Sequence, residues 1–136
     1  MPAPTVGAII EKDGKILLTK RNVEPYKGIW VTPGGHIELD ETSEEAIIRE
    51  VKEETNLTIK PVFLFYIDEI MPEIRPKYEG HDVTLFFYAK TEGDVKINKE
   101  STEYKWFTPE EVLKMKLAFR ISQAIRRWAE SKSDVS

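Results

Sequence analysis

Thr42-Ser43-Glu44-Glu45 opens the segment whose fold is most tightly constrained by local chemistry. A threonine followed three residues later by a glutamate reads as a capping box, with Thr42 as N-cap and Glu45 at N3. Ile47, Ile48 and Val51 then share one arc of a helical wheel, so the helix has a stripe to bury. Asn56 tolerates left-handed backbone and ends the helix near Thr55. The flanking chain is β-rich. Residues 5–10 and 15–20 surround Asp13-Gly14, a hairpin signal, and residues 29–31 form a third short strand. Residues 59–70 and 82–91 read as longer strands, separated by a loop over 71–81 that contains Pro72 and Pro76. A last short strand covers 104–107. Thr108-Pro109-Glu110-Glu111 starts a short helix, with Pro109 at the tolerated N1 position. Residues 118–131 form another amphipathic stretch, with Phe119, Ala124, Ile125 and Trp128 at helical spacing. The tail after about residue 131 is expected to fray. Strands interleaved with helices predict a layered α/β or α+β domain around a mixed sheet.

The 136 residues fit one domain, 1–136, with 40% hydrophobic and 32% charged residues, a soluble globular balance. No apolar run approaches the roughly 20 residues that a membrane span needs. The N-terminal segment lacks the basic start and apolar stretch of a signal peptide. With no cysteine, disulfides, thiolate metal sites and cysteine nucleophiles are excluded, and a cytoplasmic enzyme is the expectation. The net charge is −4, from 20 basic and 24 acidic residues, so no global basic field draws nucleic acid. An acidic chain acting on phosphates needs a divalent metal to bridge like charges.

The chemistry concentrates in Arg49-Glu50-Val51-Lys52-Glu53-Glu54. At roughly 100° per residue, Glu50, Glu53 and Glu54 fall within an arc of about 100°. Like charges at these spacings cost roughly 0.2–0.5 kcal/mol per pair. They also sit in the last turns of the helix, where the macrodipole favours cations. A local rule broken in so concentrated a form marks a site. A hard cation reverses the sign: Mg²⁺, or Mn²⁺, takes carboxylate and water oxygens, often completed by substrate phosphates. The bland alternative is a solvated charged face. Pro33-Gly34-Gly35 lies shortly before the helix. Its adjacent glycines allow positive φ and close backbone approach, so a carbonyl could reach a metal; a plain tight turn is the alternative.

Taken together these segments resemble the Nudix hydrolase family. The family box runs here as Gly35, Glu41, Arg49-Glu50, Val51, Glu53-Glu54, Asn56 and Leu57, over residues 35–57. Asn56 stands where the family has glycine, a mild change at a left-handed position. Further similarity lies in Ile16-Leu17-Leu18-Thr19-Lys20-Arg21, Gly28-Ile29-Trp30 and Trp106-Phe107-Thr108-Pro109-Glu110-Glu111. The resemblance implies an α/β fold, the Nudix-type α/β/α sandwich with a mixed central sheet. It implies Mg²⁺-dependent hydrolysis of a pyrophosphate bond in a nucleoside diphosphate linked to another group. By position, Glu50, Glu53 and Glu54 match the metal-binding acids, and the Gly34 carbonyl matches a further ligand. Gly35, Glu41 and Arg49 match the residues that orient loop and helix; a bidentate arginine–carboxylate contact suits that role. The catalytic base falls to Glu53, Glu50 or a later acid: Glu103 is the first choice there and Glu100 the alternative.

The box does not select the substrate. Trp30 reads as core rather than as a base-stacking surface. Arg21 is open to a phosphate or base contact, or to a surface role. The loop over 71–81 carries Arg75, Lys77, Tyr78 and His81, and Tyr78 is a substrate-binding candidate. His36 and His81 read as structural or exposed. Pro72, 16 residues after Asn56, resembles the proline associated with ADP-ribose pyrophosphatases. Gly35-His36-Ile37-Glu38 and the compact chain resemble nucleoside triphosphate pyrophosphohydrolases. The sequence therefore ranks a nucleoside triphosphate first and ADP-ribose second. A nucleotide sensor without activity is the alternative from another class, opposed by the intact acids. An mRNA-cap substrate is opposed by the net acidity. Partners are a small-molecule nucleotide, no membrane and no nucleic acid, in a monomer or homodimer.

Overall fold

The computed structural model describes residues 3–24, 26–70 and 81–134. Its elements are β1 (Ala3–Lys12), β2 (Lys15–Arg21), β3 (Trp30–Val31), β4 (Gly34–His36), α1 (Ser43–Thr55), β5 (Val62–Ile70), β6 (His81–Lys90), β7 (Ser101–Phe107), α2 (Pro109–Lys114) and α3 (Phe119–Asp134). The strands form one mixed sheet in the order β3-β2-β1-β6-β5, with β4 also paired to β1 and β7 to β2. Among the described residues only the β1–β6 pairing is parallel.

Strand periodicity builds two cores, one on each face of the sheet. On β1, Val6, Ala8 and Ile10 face α1, where they meet Ala46, Ile47 and Val51. Ile9 faces the other way, beside Ile16 and Leu18 of β2, under Ile121, Ala124, Ile125 and Trp128 of α3. Both faces are covered by helices, so the central strands are apolar on both sides. The result is the expected α/β/α sandwich.

β1 changes partners along one edge. Near Glu11 and Lys12 it pairs with β2, whereas Thr5, Val6 and Gly7 pair with β4. Residues of β1, β2 and β4 line a cleft of about 580 Å³. Pro33-Gly34-Gly35 is thus not a plain tight turn but runs into a strand, and left-handed φ among the described glycines occurs at Gly14 and Gly28 instead. Close approach explains the doublet. A Cβ on Gly34 would lie 2.1 Å from the Val6 carbonyl oxygen, and one on Gly35 would lie 2.6 Å from the Glu50 carboxylate.

Several boundaries differ from the sequence expectation. β5 starts at Val62 rather than residue 59. Pro61 cannot donate to a ladder, and Ile59 is instead buried beneath α1. β7 starts at Ser101 because its pairing partner β2 extends to Arg21. α3 continues to Asp134, beyond the expected fraying point. Tyr78, with Pro72, Arg75 and Lys77, lies outside the described residues.

Candidate active site

Helix α1 carries the site, and its ends behave as local chemistry requires. The Thr42 hydroxyl accepts from Glu45 N–H at 3.1 Å, and Glu45 accepts from Thr42 N–H at 2.8 Å. Asn56 caps the other end with φ 67°. Burial of Ala46, Ile47, Val51 and Thr55 fixes the helix rotation, which turns Glu50 and Glu54, one turn apart, into the cleft.

Glu54 is largely buried, and its Oε2 accepts from the Gly34 N–H at 2.9 Å. Burial is the main force on this carboxyl and pushes its pKa up to about 8. The Gly34 N–H and the attraction of Arg21 oppose that rise, while Glu50 and Glu100 add to it. Glu50, packed where a Gly35 side chain would be, is also raised, first by burial and then by Glu53 and Glu100, against the pull of Arg49. A divalent cation would remove the penalty that both acids carry.

Arg49 organises the ring around them. Its Nε and Nη2 donate to the two oxygens of Glu41 at 3.0 and 2.7 Å, a bidentate fork. Nη2 also donates to the His36 carbonyl at 3.1 Å, and Nη1 donates to Glu50 at 2.9 Å and Glu53 at 3.3 Å. Arg49 and the Glu38 N–H together hold the Glu41 carboxyl down at about 2. One guanidinium thus ties β4, the loop before α1 and the helix itself.

The structure separates the remaining candidates. Glu53 sits beside Arg49 with 57% of its side chain exposed, outside the cleft lining. Arg21 lines the cleft; burial and the nearby Arg120 guanidinium hold its pKa below the ordinary value. Glu103 does not line the cleft. It lies exposed on β7 opposite Lys20, with their charged groups 3.7 Å apart. Glu100, three residues earlier, does line the cleft and is close enough to act on both Glu50 and Glu54. The switch follows from strand alternation and the longer β7, neither visible locally. Trp30 packs edge-on against Phe107 at 5.2 Å, as a core residue should. His36 is exposed, and His81 pairs with Asp68 at 2.5 Å.

Arg120 is a cleft residue that sequence reasoning missed. It reaches Glu69 at 3.5 Å and Asp82 at 3.4 Å, two acids paired across β5 and β6. No local pattern points to it, because the partners lie some 40–50 residues away.

The donor set fits Mg²⁺. Among the described residues no three of His, Asp or Glu converge into a ready-made metal cage. Mg²⁺ requires none: it is commonly held by one or two carboxylates, several waters and substrate phosphates. Glu50 and Glu54 supply that pair, on a rigid helix, at the wall of a cleft whose volume suits a small molecule.

Comparison with known proteins places the fold in a family. Residues 1–128 match the family model described as the NUDIX domain. The chain is 39% identical over 131 residues to an ADP-ribose pyrophosphatase of Methanocaldococcus jannaschii, covering 93% of this chain and 75% of that protein. It is 32% identical over 117 residues to a CTP pyrophosphohydrolase of Escherichia coli, covering 83% and 81% respectively. Its fold superposes on the crystal structure of a MutT protein from Methanosarcina mazei with a TM-score of 0.84, at 28% identity and 96% coverage of both chains. The chain belongs to the Nudix hydrolase family, enzymes that act on the pyrophosphate bonds of phosphorus-containing anhydrides.

Proposed function

We propose that this protein hydrolyses the pyrophosphate bond of ADP-ribose, or of a closely similar nucleoside diphosphate sugar, with Mg²⁺ or Mn²⁺ as cofactor. The observation that carries the reading is the charge of the cleft. Among the described residues its wall presents Glu38, Glu50, Glu54, Asp82 and Glu100 against Arg21 and Arg120. With Glu50 and Glu54 matched by a bound cation, Glu38 and Glu100 remain, and they oppose the roughly fourfold negative charge of a nucleoside triphosphate more than the roughly twofold charge of ADP-ribose. The position of Pro72 and the similarity to an ADP-ribose pyrophosphatase support the same order. This reverses the ranking reached from the sequence. The nucleoside triphosphate reading keeps support from the similarity to a CTP pyrophosphohydrolase.

Each residue has a role. Glu50 and Glu54 would hold the metal, with the Gly34 carbonyl as a further donor; Glu53, outside the cleft lining, would reach it only through a bound water. A divalent cation held there would supply charge neutralisation at the phosphate oxygens and a lowered pKa for water. Glu100 takes the proton from the attacking water, because it shares the cleft with both acids whereas Glu103 does not. Arg21 holds a phosphate oxygen away from the helix. Arg49 and Glu41 fix the helix and loop without touching substrate. Catalysis of this kind rests on positioning and charge neutralisation rather than on a covalent intermediate.

The test is a product-mass screen of the purified protein with Mg²⁺ over ADP-ribose, other sugar nucleotides, nucleoside triphosphates and diadenosine polyphosphates. AMP and ribose 5-phosphate as the dominant products support the proposal. Preferential release of a nucleoside monophosphate and pyrophosphate from a triphosphate would replace it with the second reading. Ligand binding without turnover across the panel would favour a sensor.

A further inference from the structure

We propose that Asn98 is a positioning residue for catalysis: its side chain locks the turn that carries Glu100 onto the end of α1 that carries Glu50 and Glu54. The proposal rests on the reading of Glu100 as an acting acid, and it concerns how that acid is held.

The last carbonyls of a helix have no partner within the helix. In α1 two of them are met by the segment that precedes β7. The Thr55 carbonyl accepts from Lys96 N–H at 2.8 Å, and the Glu53 carbonyl accepts from Asn98 Nδ2 at 3.1 Å. Asn98 Oδ1 in turn accepts from Glu100 N–H at 2.9 Å, and the Asn98 carbonyl accepts from Ser101 N–H at 3.3 Å. One amide therefore faces both ways. Its oxygen shapes the turn and its nitrogen fastens the turn to the helix. Only this orientation of the amide satisfies both contacts, since a carbonyl needs a donor and an N–H needs an acceptor.

The other side of the turn is held as well. Asn22 N–H donates to the Glu100 carbonyl at 2.9 Å, and Asn22 Nδ2 donates to the Lys99 carbonyl at 3.1 Å. Asn22 directly follows Arg21, so the turn is pinned between the end of β2 and the end of α1. The Glu100 side chain is long and lies at an exposed position. Without a fixed backbone its carboxylate would sample many positions, and small misplacements of a reacting group are costly. The carbonyl that Asn98 grips belongs to Glu53, within the very turn between Glu50 and Glu54. The tether thus sets the distance between the two halves of the site.

The experiment compares wild type with Asn98→Ala, Asn98→Asp, Glu100→Gln and the Asn98→Ala/Glu100→Gln double variant. Steady-state rates are measured at saturating Mg²⁺, with melting temperatures and the exchange rate of the Glu100 amide proton in metal-free protein. Glu100→Gln alone tests the underlying reading: unchanged kcat would remove the role of Glu100 and this proposal with it. Given a loss there, Asn98→Ala is expected to lower kcat by about 10- to 100-fold with KM little changed, and to speed exchange of the Glu100 amide. The double variant should be no slower than Glu100→Gln, because both changes remove one function. Asn98→Asp keeps the oxygen that shapes the turn but sets an oxygen against the Glu53 carbonyl, so it should keep the Glu100 amide protected and still lose kcat. Wild-type kcat in Asn98→Asp would overturn the tether. Full additivity in the double variant, or a rise in KM without a fall in kcat, would assign Asn98 a role apart from Glu100.

Discussion

Glu11 and Glu54 are both glutamates drawn into this fold, and the fold treats them in opposite ways. Glu11, near the end of β1, is only 7% exposed. Burial alone would raise its pKa, but Lys132 and Tyr88 outweigh it and hold the carboxyl below its ordinary range. Lys132 donates to Glu11 Oε1 at 2.8 Å, and the Tyr88 hydroxyl donates to the same oxygen. The chain's last helix thus supplies its own counter-ion. Glu54 receives one backbone N–H, and burial, with the repulsion of Glu50 and Glu100 added to it, leaves its carboxyl raised. Both carboxyls lose water, and for both burial pushes the pKa up. What distinguishes Glu54 is burial among other acids that the fold does not balance, and such imbalance is expected where a metal ion is bound.

The largest expected effect is on activity. Glu54→Gln should reduce turnover at saturating Mg²⁺ by about 100-fold or more, since a bound metal contributes several kcal/mol to the transition state. Its metal-free melting temperature should hold or rise, because a repelled acid has been removed. A large fall in that temperature would make Glu54 structural.

The glycines break the comparison in a second place. Gly34→Ala sets a methyl against the Val6 backbone at 2.1 Å, which no rotamer relieves. It should destabilise the fold by about 3 kcal/mol, the upper part of the usual range for overpacking, read by denaturant melts. Gly35→Ala meets only the movable end of Glu50. It should lower activity with a much smaller loss of stability.

At the balanced acid the order inverts. Lys132→Met removes the counter-ion of Glu11 while leaving its Tyr88 hydrogen bond, and should cost about 1–3 kcal/mol in stability, the penalty of a buried charged group losing a partner. The kcat should not change. Equal losses of activity at Lys132 and Glu54 would mean that the two acids belong to one network.

The same contrast is read from pH. The Glu54 carboxyl is raised from 4.5 to about 8, so the folded chain keeps a proton that the unfolded chain has released. Its contribution to metal-free stability is fully present below about 4.5 and is lost as pH rises towards 8. Glu41 has the opposite sign. Held near 2 by Arg49, it contributes above 4.5 and loses that contribution as pH falls through 2. Melting curves should show Glu54→Gln flattening the neutral limb and Glu41→Gln flattening the acid limb.

Helix α1 was legible from end to end. Its capping box, its buried stripe and the left-handed Asn56 are local features, and local chemistry decides them. The second helix followed the same logic at Thr108 and Glu111. β4 was not legible, because two glycines carry no strand propensity and the strand exists through its pairing with Thr5, Val6 and Gly7. In the site, the positions of Glu50 and Glu54 followed from helical spacing alone. That Glu100 rather than Glu103 lines the cleft did not, since the turn carrying it is held by Asn22 and Asn98, which only the tertiary fold brings together. Arg120 was hidden for the same reason: its partners lie on β5 and β6.

Glu54, with its pKa pushed up to about 8, is an acid that favours its proton at neutral pH until a cation replaces it. Adding Mg²⁺ to metal-free protein at pH 7 in weak buffer, and titrating the protons released, tests it without any substrate. Metal binding to a site whose ligand must first ionise releases a proton, so wild type should release close to one per site. Glu54→Gln should release almost none. No release by wild type at Mg²⁺ concentrations that support turnover, or the same release by Glu54→Gln, would contradict the account.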